Sequence, residues 1–381
     1  MIYKALFAVS ALLVVHLAYA QAVDSVLNNI DSLPKPENNS GFDKFMKKGE
    51  RLFKILPVPL YSYSSDAGNV FGLAKFNLFR LSKKDTTSYP SKVSGVFTIS
   101  TKGRINASIA NEMIFKENKY IVVSYVNYKK QPEYIFGTGN NVHQKDVEEI
   151  SQDRFVFSTN WFRRIKGKIY AGVIFNVSNY FNIHTDSNSI LIAGKVAGLQ
   201  GGTTVGTGLG AVLETRDNRY NPSKGTYTEV AYSFHYGDYS FRKFHADVRK
   251  YFTPFKNKIV LAIQATTSDA SGTVPFYELS MLGGDNRMRG YYLGALRDKV
   301  AVDGQIELRI PVWSVFGIST FVGAGQVGPG YHALKLNDFW ISYGGGVRIK
   351  VDTQNNTNLR FDMGFGGRKI NAFYINFAEA F

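Results

Sequence analysis

The chain ends in the sequence Ala372-Phe373-Tyr374-Ile375-Asn376-Phe377-Ala378-Glu379-Ala380-Phe381. Four of its large apolar residues stand at odd-numbered positions, namely Phe373, Ile375, Phe377 and Phe381. Because successive side chains of a strand point to opposite faces, the four side chains would lie on one face. A membrane-spanning strand shows such a face to lipid, so the pattern predicts the closing strand of a transmembrane β-barrel. A terminal strand of a soluble sheet is the alternative, and Glu379 interrupts the apolar face.

The first twenty residues have the features of a secretory signal peptide. Lys4 precedes an apolar run from Ala5 to Ala18, and Ala18-Tyr19-Ala20 before Gln21 is an A-x-A cleavage site. A signal anchor is the alternative, but the run is short for a span of about 20 residues. The sequence therefore predicts export, with residues 1–20 removed, and an outer-membrane location in a Gram-negative bacterium.

Residues 21–56 differ from the rest of the chain and are expected to form a periplasmic N-terminal segment. Within it, apolar and basic residues alternate at helical spacing, which predicts one short amphipathic basic helix. The apolar members are Phe42, Phe45, Met46, Leu52, Phe53 and Ile55, among Lys44, Lys47, Lys48 and Arg51. Such a helix could cap the barrel, plug its mouth or lie on the inner leaflet.

Composition favours an all-β protein. Beyond the signal there is no apolar run of about 18 residues, which excludes a helical membrane protein. The 23 Tyr, 29 Phe and 36 Gly suit short strands, tight turns and aromatic girdles. The absence of Cys excludes disulfides and thiolate sites. The net charge of +15 could attract nucleic acid, anionic lipid or acidic lumen residues, but no basic-aromatic platform appears, so nucleic acid is not an expected partner.

From residue 57 to residue 381 the sequence alternates in segments of the length that a tilted membrane strand needs. We predict a 16-stranded antiparallel transmembrane β-barrel. The predicted strands are 57–64, 68–81, 91–101, 104–116, 119–131, 151–163, 168–183, 204–216, 225–239, 240–253, 257–268, 300–311, 316–327, 338–351, 358–366 and 371–381. In one of them Ile306, Leu308 and Ile310 alternate with Gln305, Glu307 and Arg309.

Loop length supports this topology. If the first strand runs outward, the long connections 132–150, 184–203 and 269–299 all fall on the outside, as in outer-membrane barrels. The even strand count returns both ends to the periplasm. A soluble β-sandwich could explain the spacing, but it would need polar exteriors.

The longest connection, 269–299, carries the chemistry that we consider most informative. It contains Arg289, Gly290 and Tyr291, an unusual tip for a solvent-exposed loop. A buried guanidinium needs a carboxylate, so we expect the loop to fold into the barrel and Arg289 to pair with a lumen residue. Glu307, on the next strand, is the first expected partner, and Asp362 and Glu214 are the second choices.

At these residues the chain resembles the outer-membrane assembly-factor superfamily, also called the bacterial surface antigen family. Its members carry a Val/Ile-Arg-Gly-Phe/Tyr signature on the sixth loop, which Met288-Arg289-Gly290-Tyr291 matches with Met in the first place. The turn Arg216–Gly225 and the strand Ile306–Pro311 match two further family patterns. The resemblance covers the barrel, from about Pro57 to Phe381.

The resemblance implies insertion or translocation of outer-membrane proteins or lipids. In the family the first and last strands pair weakly, which offers a lateral seam and an unpaired strand edge. The seam strand would then carry Phe373, Ile375, Phe377 and Phe381. Pro57, Pro59 and the turn Gly367-Arg368-Lys369 are compatible with a poorly bonded seam, although Pro is also common at strand entrances. Expected partners are outer-membrane lipid, unfolded outer-membrane proteins and periplasmic accessory proteins.

Two departures limit this inference. The family usually has an Asp in a Phe-x-Asp-x-Gly pattern on strand thirteen, where this chain has Gly323 within Phe321–Gly325. That leaves Glu307 as the expected anchor of Arg289. Family members also carry periplasmic polypeptide-transport-associated (POTRA) domains before the barrel, whereas only about 35 residues stand there in this sequence.

Other function classes have weaker support. Gly323–Gly328 fits G-x-G-x-x-G, but Pro329-Gly330 follows and prevents a phosphate-binding helix. We expect no enzyme activity, no metal and no cofactor, because no nucleophile elbow and no His cluster occur. The alternative function is a passive pore or lipid-handling barrel, and a hydrolase would need a Ser-His-carboxylate set. A basic lumen is expected as a structural ladder or a substrate path, formed by Arg287, Arg289, Arg309, Arg348 and Arg360.

Overall fold

The computed structural model describes residues 56–64, 68–82, 85, 87–130, 132–141, 147–186, 189–254, 259–367 and 371–381. Three elements of the sequence prediction lie outside the described residues. They are the signal peptide of residues 1–20, the helix expected before residue 56, and Arg368 and Lys369 of the last turn.

The fold is all-β, as predicted, and sixteen strands form its wall. They are β1 (Val58–Ser64), β2 (Gly68–Phe79), β3 (Ser91–Ser100), β4 (Ile105–Ile114), β5 (Tyr120–Lys130), β6 (Glu148–Lys166), β7 (Ile169–His184), β8 (Gly202–Glu214), β9 (Gly225–Gly237), β10 (Phe241–Phe252), β11 (Val260–Gly272), β12 (Val300–Trp313), β13 (Phe316–Gly328), β14 (Trp340–Asp352), β15 (Thr357–Gly366) and β16 (Asn371–Phe377). Each predicted strand overlaps one of these, because side-chain alternation is a local signal.

Every strand pairs antiparallel with the next one along the chain, from β1 to β16. Among the described residues, no ladder joins β1 to β16. The rings of Phe76 on β2 and Phe377 on β16 nevertheless stack, with centroids 5.2 Å apart. The sheet therefore curves far enough to bring β16 against β2 through side chains.

Burial alternates along the strands as the sequence predicts. On β12, the side chain of Ile306 is 45% exposed on the outer surface, whereas Glu307 is fully buried inside. Leu308 and Ile310 share the outer side, and Gln305 and Arg309 share the interior. The wall thus presents apolar residues outward and encloses polar ones, which is the pattern of a membrane barrel.

The two ends of the barrel differ in the length of their connections. One end, the loop end, carries the long connections 131–147, 185–201 and 273–299. These hold three short strands and a one-turn helix, at Glu133–Ile135, Ser280–Leu282, Leu296–Asp298 and Ile190–Ala193. The other end, the turn end, carries shorter turns, of which 215–224 is the longest after the β2–β3 connection. In the part of the chain that the structure describes, no helix has the length and apolarity to cross a membrane.

The last four residues correct the sequence prediction. β16 ends at Phe377, and Ala378 has a φ of +66°, which turns the chain inward. Glu379 and Phe381 are buried in the interior at the turn end. The prediction that Phe381 lies on the outer face of the seam strand was wrong. An ionised Glu379 would be costly against lipid, whereas inside it meets two arginines, so the tail leaves the wall.

Candidate functional site

The tip of connection 273–299 packs inside the barrel. Leu282, Met288 and Tyr291 belong to a buried apolar cluster, and Trp340 of the wall packs against it. The hydrophobic effect favours the inward position of the loop, because these apolar side chains are then removed from water. The loop is therefore part of the packed interior.

Gly290 permits the closest approach between the loop and the wall. Its φ is +111°, and a Cβ on Gly290 would lie 2.6 Å from the carbonyl carbon of Phe365 on β15. A Cβ on Gly364 would likewise lie 2.6 Å from the carbonyl carbon of Arg289. Two glycines thus let the loop backbone rest directly on the backbone of β15.

The guanidinium of Arg289 bridges two strands. Its Nη2 lies 2.6 Å from Oε2 of Glu307 on β12, and its Nη1 lies 2.8 Å from Oδ2 of Asp362 on β15. Its Cζ lies 3.5 Å from the ring centre of Phe321 on β13. All three charged side chains are fully buried. The loop therefore holds the wall from β12 to β15 with charge-assisted contacts.

Hydrogen bonds fix the rest of the tip to β14 and β16. Ser342 Oγ donates to the carbonyl of Arg289 over 2.6 Å, and Gly290 N donates to the hydroxyl of Tyr374 over 3.0 Å. The hydroxyl of Tyr291 donates to the carbonyl of Ile341 over 2.8 Å. The Arg-Gly-Tyr tip is thus anchored on every strand from β12 to β16.

Arg289 belongs to a larger group of charged residues that we call the ionic cluster, all of them buried except Asp285, whose side chain is 41% exposed. Its members are Arg289, Arg309, Arg348, Arg360, Asp285, Glu307, Asp362 and Glu379. Glu307 contacts Arg309 at 2.7 Å, and Asp362 contacts Arg348 at 2.5 Å. The cluster contains four cations and four carboxylates, so its formal charges balance.

The ionic cluster connects the loop to the inward-turned tail. Glu379 Oε2 lies 2.8 Å from Arg348 Nε and 3.6 Å from Arg309 Nε. Its Oε1 accepts a hydrogen bond from Asn358 Nδ2 over 2.7 Å, and Arg309 Nη2 donates to the main-chain oxygen of Phe381 over 2.8 Å. Two carboxylates, Glu307 and Asp362, therefore separate the loop arginine from the arginines that hold the tail.

The turn 215–224 at the turn end has its own charge set. Arg219 contacts Glu214 at 3.0 Å and pairs with Glu112 across the lumen. Burial alone would lower the pKa of Arg219, but Glu112 and Glu214 outweigh it and hold that pKa above its usual range. Tyr220 donates to the carbonyl of Pro90 over 2.9 Å, so this turn crosses the lumen and partly closes the turn end.

Residues 69–381 match the Omp85 superfamily domain. The chain belongs to the Omp85 superfamily. Among solved structures, it is similar to BamA from Haemophilus ducreyi lacking POTRA domains 1–3, with a TM-score of 0.50, 13% identity and coverage of 93% of this chain and 80% of that chain. It is also similar to CdiB from Acinetobacter baumannii, with a TM-score of 0.50, 12% identity and coverage of 83% and 56%. No curated protein matches the chain.

At 12–13% sequence identity, these similarities establish the fold but not the details of the site. The Omp85 barrel places two expected carboxylates, Glu307 and Asp362, on Arg289. The third, Glu214, was a wrong choice: it contacts Arg216 at 2.5 Å and Arg219 at the turn end. The alternation of side chains along the strand correctly predicted that Glu214 faces the lumen. It does not predict how far along the barrel axis a residue lies from the loop tip.

Packing explains why this chain has Gly323 where the family pattern has an Asp. A Cβ there would lie 3.2 Å from the carbonyl oxygen of Gly304, 3.3 Å from the Cβ of Gln305 and 3.8 Å from the sulfur of Met288. Met288 therefore lies next to the space that a longer side chain at position 323 would enter. Glu307 on β12 and Asp362 on β15 supply the negative charge instead.

Glu379 was not predicted as a site residue, because in the sequence it only interrupts an apolar face. A charged residue at a lipid-facing position next to the end of a strand is the signal that could have found it.

Of the other arginines, Arg287 pairs with Asp303 at 3.0 Å outside the ionic cluster. Among the described residues, no group of three His, Asp or Glu side chains could hold a metal ion.

Proposed function

We propose that the chain is an outer-membrane β-barrel that takes part in the insertion or translocation of outer-membrane proteins or lipids through a lateral seam between β1 and β16. The family and the outward apolar surface support the membrane location. The long connections would face the outside, so the turn end would face the periplasm. The proposal includes no enzyme activity.

The observation that carries this proposal is the position of Arg289. It is fully buried between Glu307 and Asp362, and its neighbours Gly290 and Tyr291 are fixed to β14 and β16. The loop therefore stiffens the half of the wall that ends at β16. A rigid wall on one side lets the seam open by movement of the other side alone.

The two strands at the seam are short, since β1 and β16 each have seven residues. β1 contains Pro59, which has no backbone N–H to offer to β16 across the seam. Among the described residues β16 pairs only with β15, and its open edge could accept an extended segment by β-augmentation. The partners proposed are outer-membrane lipid, unfolded outer-membrane proteins and periplasmic accessory proteins.

The test replaces the wild-type chain in cells by an Arg289→Ala variant and measures the outer-membrane proteins and surface lipids by quantitative mass spectrometry. We expect selective loss of particular barrels or lipids. An Arg242→Ala variant is the control, because Arg242 is exposed on β10. An unchanged outer membrane in cells that lack the chain altogether would refute the proposal.

A passive pore is the second candidate, and one observation favours it. A cavity of about 510 Å³ remains in the interior near the turn end, lined by charged residues that include Glu112, Arg219 and Arg249. Conductance of the purified protein in planar bilayers separates the two functions. A large, steady conductance that does not depend on Arg289 supports the pore.

A further inference from the structure

A polar cavity remains in the lumen away from the Arg-Gly-Tyr tip, which packs against β12 to β16. The cavity measures about 220 Å³ and lies between β6, β7, β9 and β10. Its polar lining includes Ser158 and Asn160 of β6, Asn176 of β7, Ser233 of β9 and Lys243 of β10. Hydrogen-bonding side chains of this kind line the water-filled lumens of outer-membrane barrels.

This cavity meets the larger one near the turn end. The cavity of about 510 Å³ shares two lining residues with it, Asn160 on β6 and Glu229 on β9. From Glu229 the smaller cavity continues towards the loop end as far as Ser233 and Lys243, which are paired opposite each other on β9 and β10. The two cavities therefore adjoin, and we call them together the lumen path.

The long connections cover the lumen path at the loop end. One buried apolar cluster contains a residue from each of the three connections, namely Ile135, Leu191 and Phe276. The next residue, Tyr277, stacks its ring on that of Tyr180 on β7, with centroids 3.9 Å apart. Tyr180 lies four residues beyond Asn176 on the same face of β7. The cluster therefore lies beyond the loop-end limit of the path.

Glu278 ties this cover to the wall. Its Oε1 accepts a hydrogen bond from Ser178 Oγ of β7 over 2.7 Å, and its Oε2 pairs with Nζ of Lys243 on β10. Ser178 Oγ also lies 2.8 Å from Thr204 Oγ1 of β8. Because Lys243 lines the smaller cavity, the carboxylate of Glu278 lies at the border of the lumen path. One side chain thus connects the start of connection 273–299 to both sides of the path.

We propose that the lumen path conducts small hydrated ions and uncharged polar molecules, and that Glu278 is the latch that closes it at the loop end. The Ser and Asn side chains of the path offer donors and acceptors without a fixed charge, which suits such solutes. Release of Glu278 would let residues 273–278 move aside while Arg289 keeps the tip on the opposite wall. The inference rests on the pore, the second candidate function above, and not on insertion or translocation.

The test measures the conductance of the purified full chain in planar bilayers with potassium chloride on both sides. Glu278→Ala should raise the conductance at least about fivefold over the wild type, as expected when a partly exposed ion pair no longer holds the closed state. Glu149→Ala is the matched control, because Glu149 is an exposed carboxylate on β6 near the loop end, and it should leave the conductance unchanged. Lys243→Met breaks the same ion pair from the wall side and should also raise the conductance, so it remains informative if Glu278→Ala fails to fold.

Cysteine labelling locates the path, since the chain has no Cys. In the background of the conducting variant, a positively charged methanethiosulfonate reagent should lower the conductance when Asn176 is replaced by Cys. Gln305→Cys is the control and should be unaffected, because Gln305 lies under connection 273–299 and donates to the carbonyl of Asn286 over 2.8 Å.

Three results would overturn the proposal. They are a wild-type conductance equal to that of both latch variants, an Asn176→Cys variant that the reagent leaves unchanged, and a Glu149→Ala variant that conducts as well as Glu278→Ala. The proposed insertion or translocation function is judged separately, by the proteins and lipids of the outer membrane. A change in the outer membrane without any conductance would therefore reject the lumen path alone.

Discussion

Glu379 and Arg348 form a buried ion pair of 2.8 Å that ties the inward-turned tail to β14. Because Arg348 also contacts Asp362, which contacts Arg289, the tail and the sixth loop share one electrostatic network. In this chain the end of the seam strand and the loop tip are therefore connected through the interior.

Replacing Glu379 by Gln should release the tail. The change leaves the buried guanidinium of Arg348 with one carboxylate fewer, and breaking a buried pair costs about 3–5 kcal/mol of unfolding free energy. Denaturant unfolding in lipid vesicles measures this loss, and carboxypeptidase digestion measures release of the tail. Glu149→Gln is the matched control, since Glu149 is itself 45% exposed and lies as far as 3.9 Å from Arg104. Such a pair is worth at most about 1 kcal/mol. Equal effects of the two changes would contradict the network.

Arg289→Lys should fail to restore the bridge. A lysine ammonium lacks the planar fork that reaches Glu307 and Asp362 together, so one carboxylate stays buried without its partner. We expect a loss of about 3 kcal/mol in unfolding free energy, as for other broken buried pairs. Phe321→Leu, which removes only the ring beneath the guanidinium, should cost about 1–2 kcal/mol. A lysine variant as stable as the wild type would show that a single contact suffices.

Gly290→Ala should expel the loop tip. The new Cβ would meet the backbone of Phe365, and the φ of +111° adds strain. The matched control is Gly103→Ala, because Gly103 also has a positive φ, +76°, but no atom within 4 Å of its Cβ position. We expect about 1–2 kcal/mol for the control from the left-handed backbone alone, and a clearly larger loss for Gly290→Ala. Limited proteolysis of residues 273–299 reports the expelled loop. Similar proteolysis of both variants would refute the close contact.

Asp217 should give the turn 215–224 an acid-sensitive contribution to stability. Burial alone would raise its pKa, but hydrogen bonds from Ser223, Lys224 and Asn218 outweigh that effect and hold the pKa below its ordinary value. A carboxyl with a lowered folded-state pKa stabilises the protein above its unfolded pKa, about 3.9, and this contribution is lost as the pH falls through the folded-state pKa.

The measurement compares the wild type with an Asp217→Asn variant by denaturant unfolding at several pH values. At neutral pH the wild type should be the more stable protein, and the difference should shrink below a pH of about 4. A difference that stays constant from pH 7 to pH 3 would mean that the charge of Asp217 contributes nothing to the turn.

The wall was predictable from the sequence, because a two-residue period records which side of a strand faces lipid. Residues such as Ile306 and Glu307 therefore fell on the correct sides. The pairing of Arg289 with Glu307 could be anticipated because both lie near one connection. Glu214 was misassigned, since its distance from the loop tip depends on height along the barrel. The turn at Ala378 escaped prediction because it depends on Arg348 and Arg309, thirty or more residues earlier in the chain.

The composition of the ionic cluster has a consequence for movement of the sixth loop. The loop contributes one cation and one anion, Arg289 and Asp285, while the strands and tail contribute Arg309, Arg348 and Arg360 with Glu307, Asp362 and Glu379. If the loop withdrew, three charges of each sign would stay behind. Insertion and retraction of the loop would thus leave the formal net charge of this cluster unchanged.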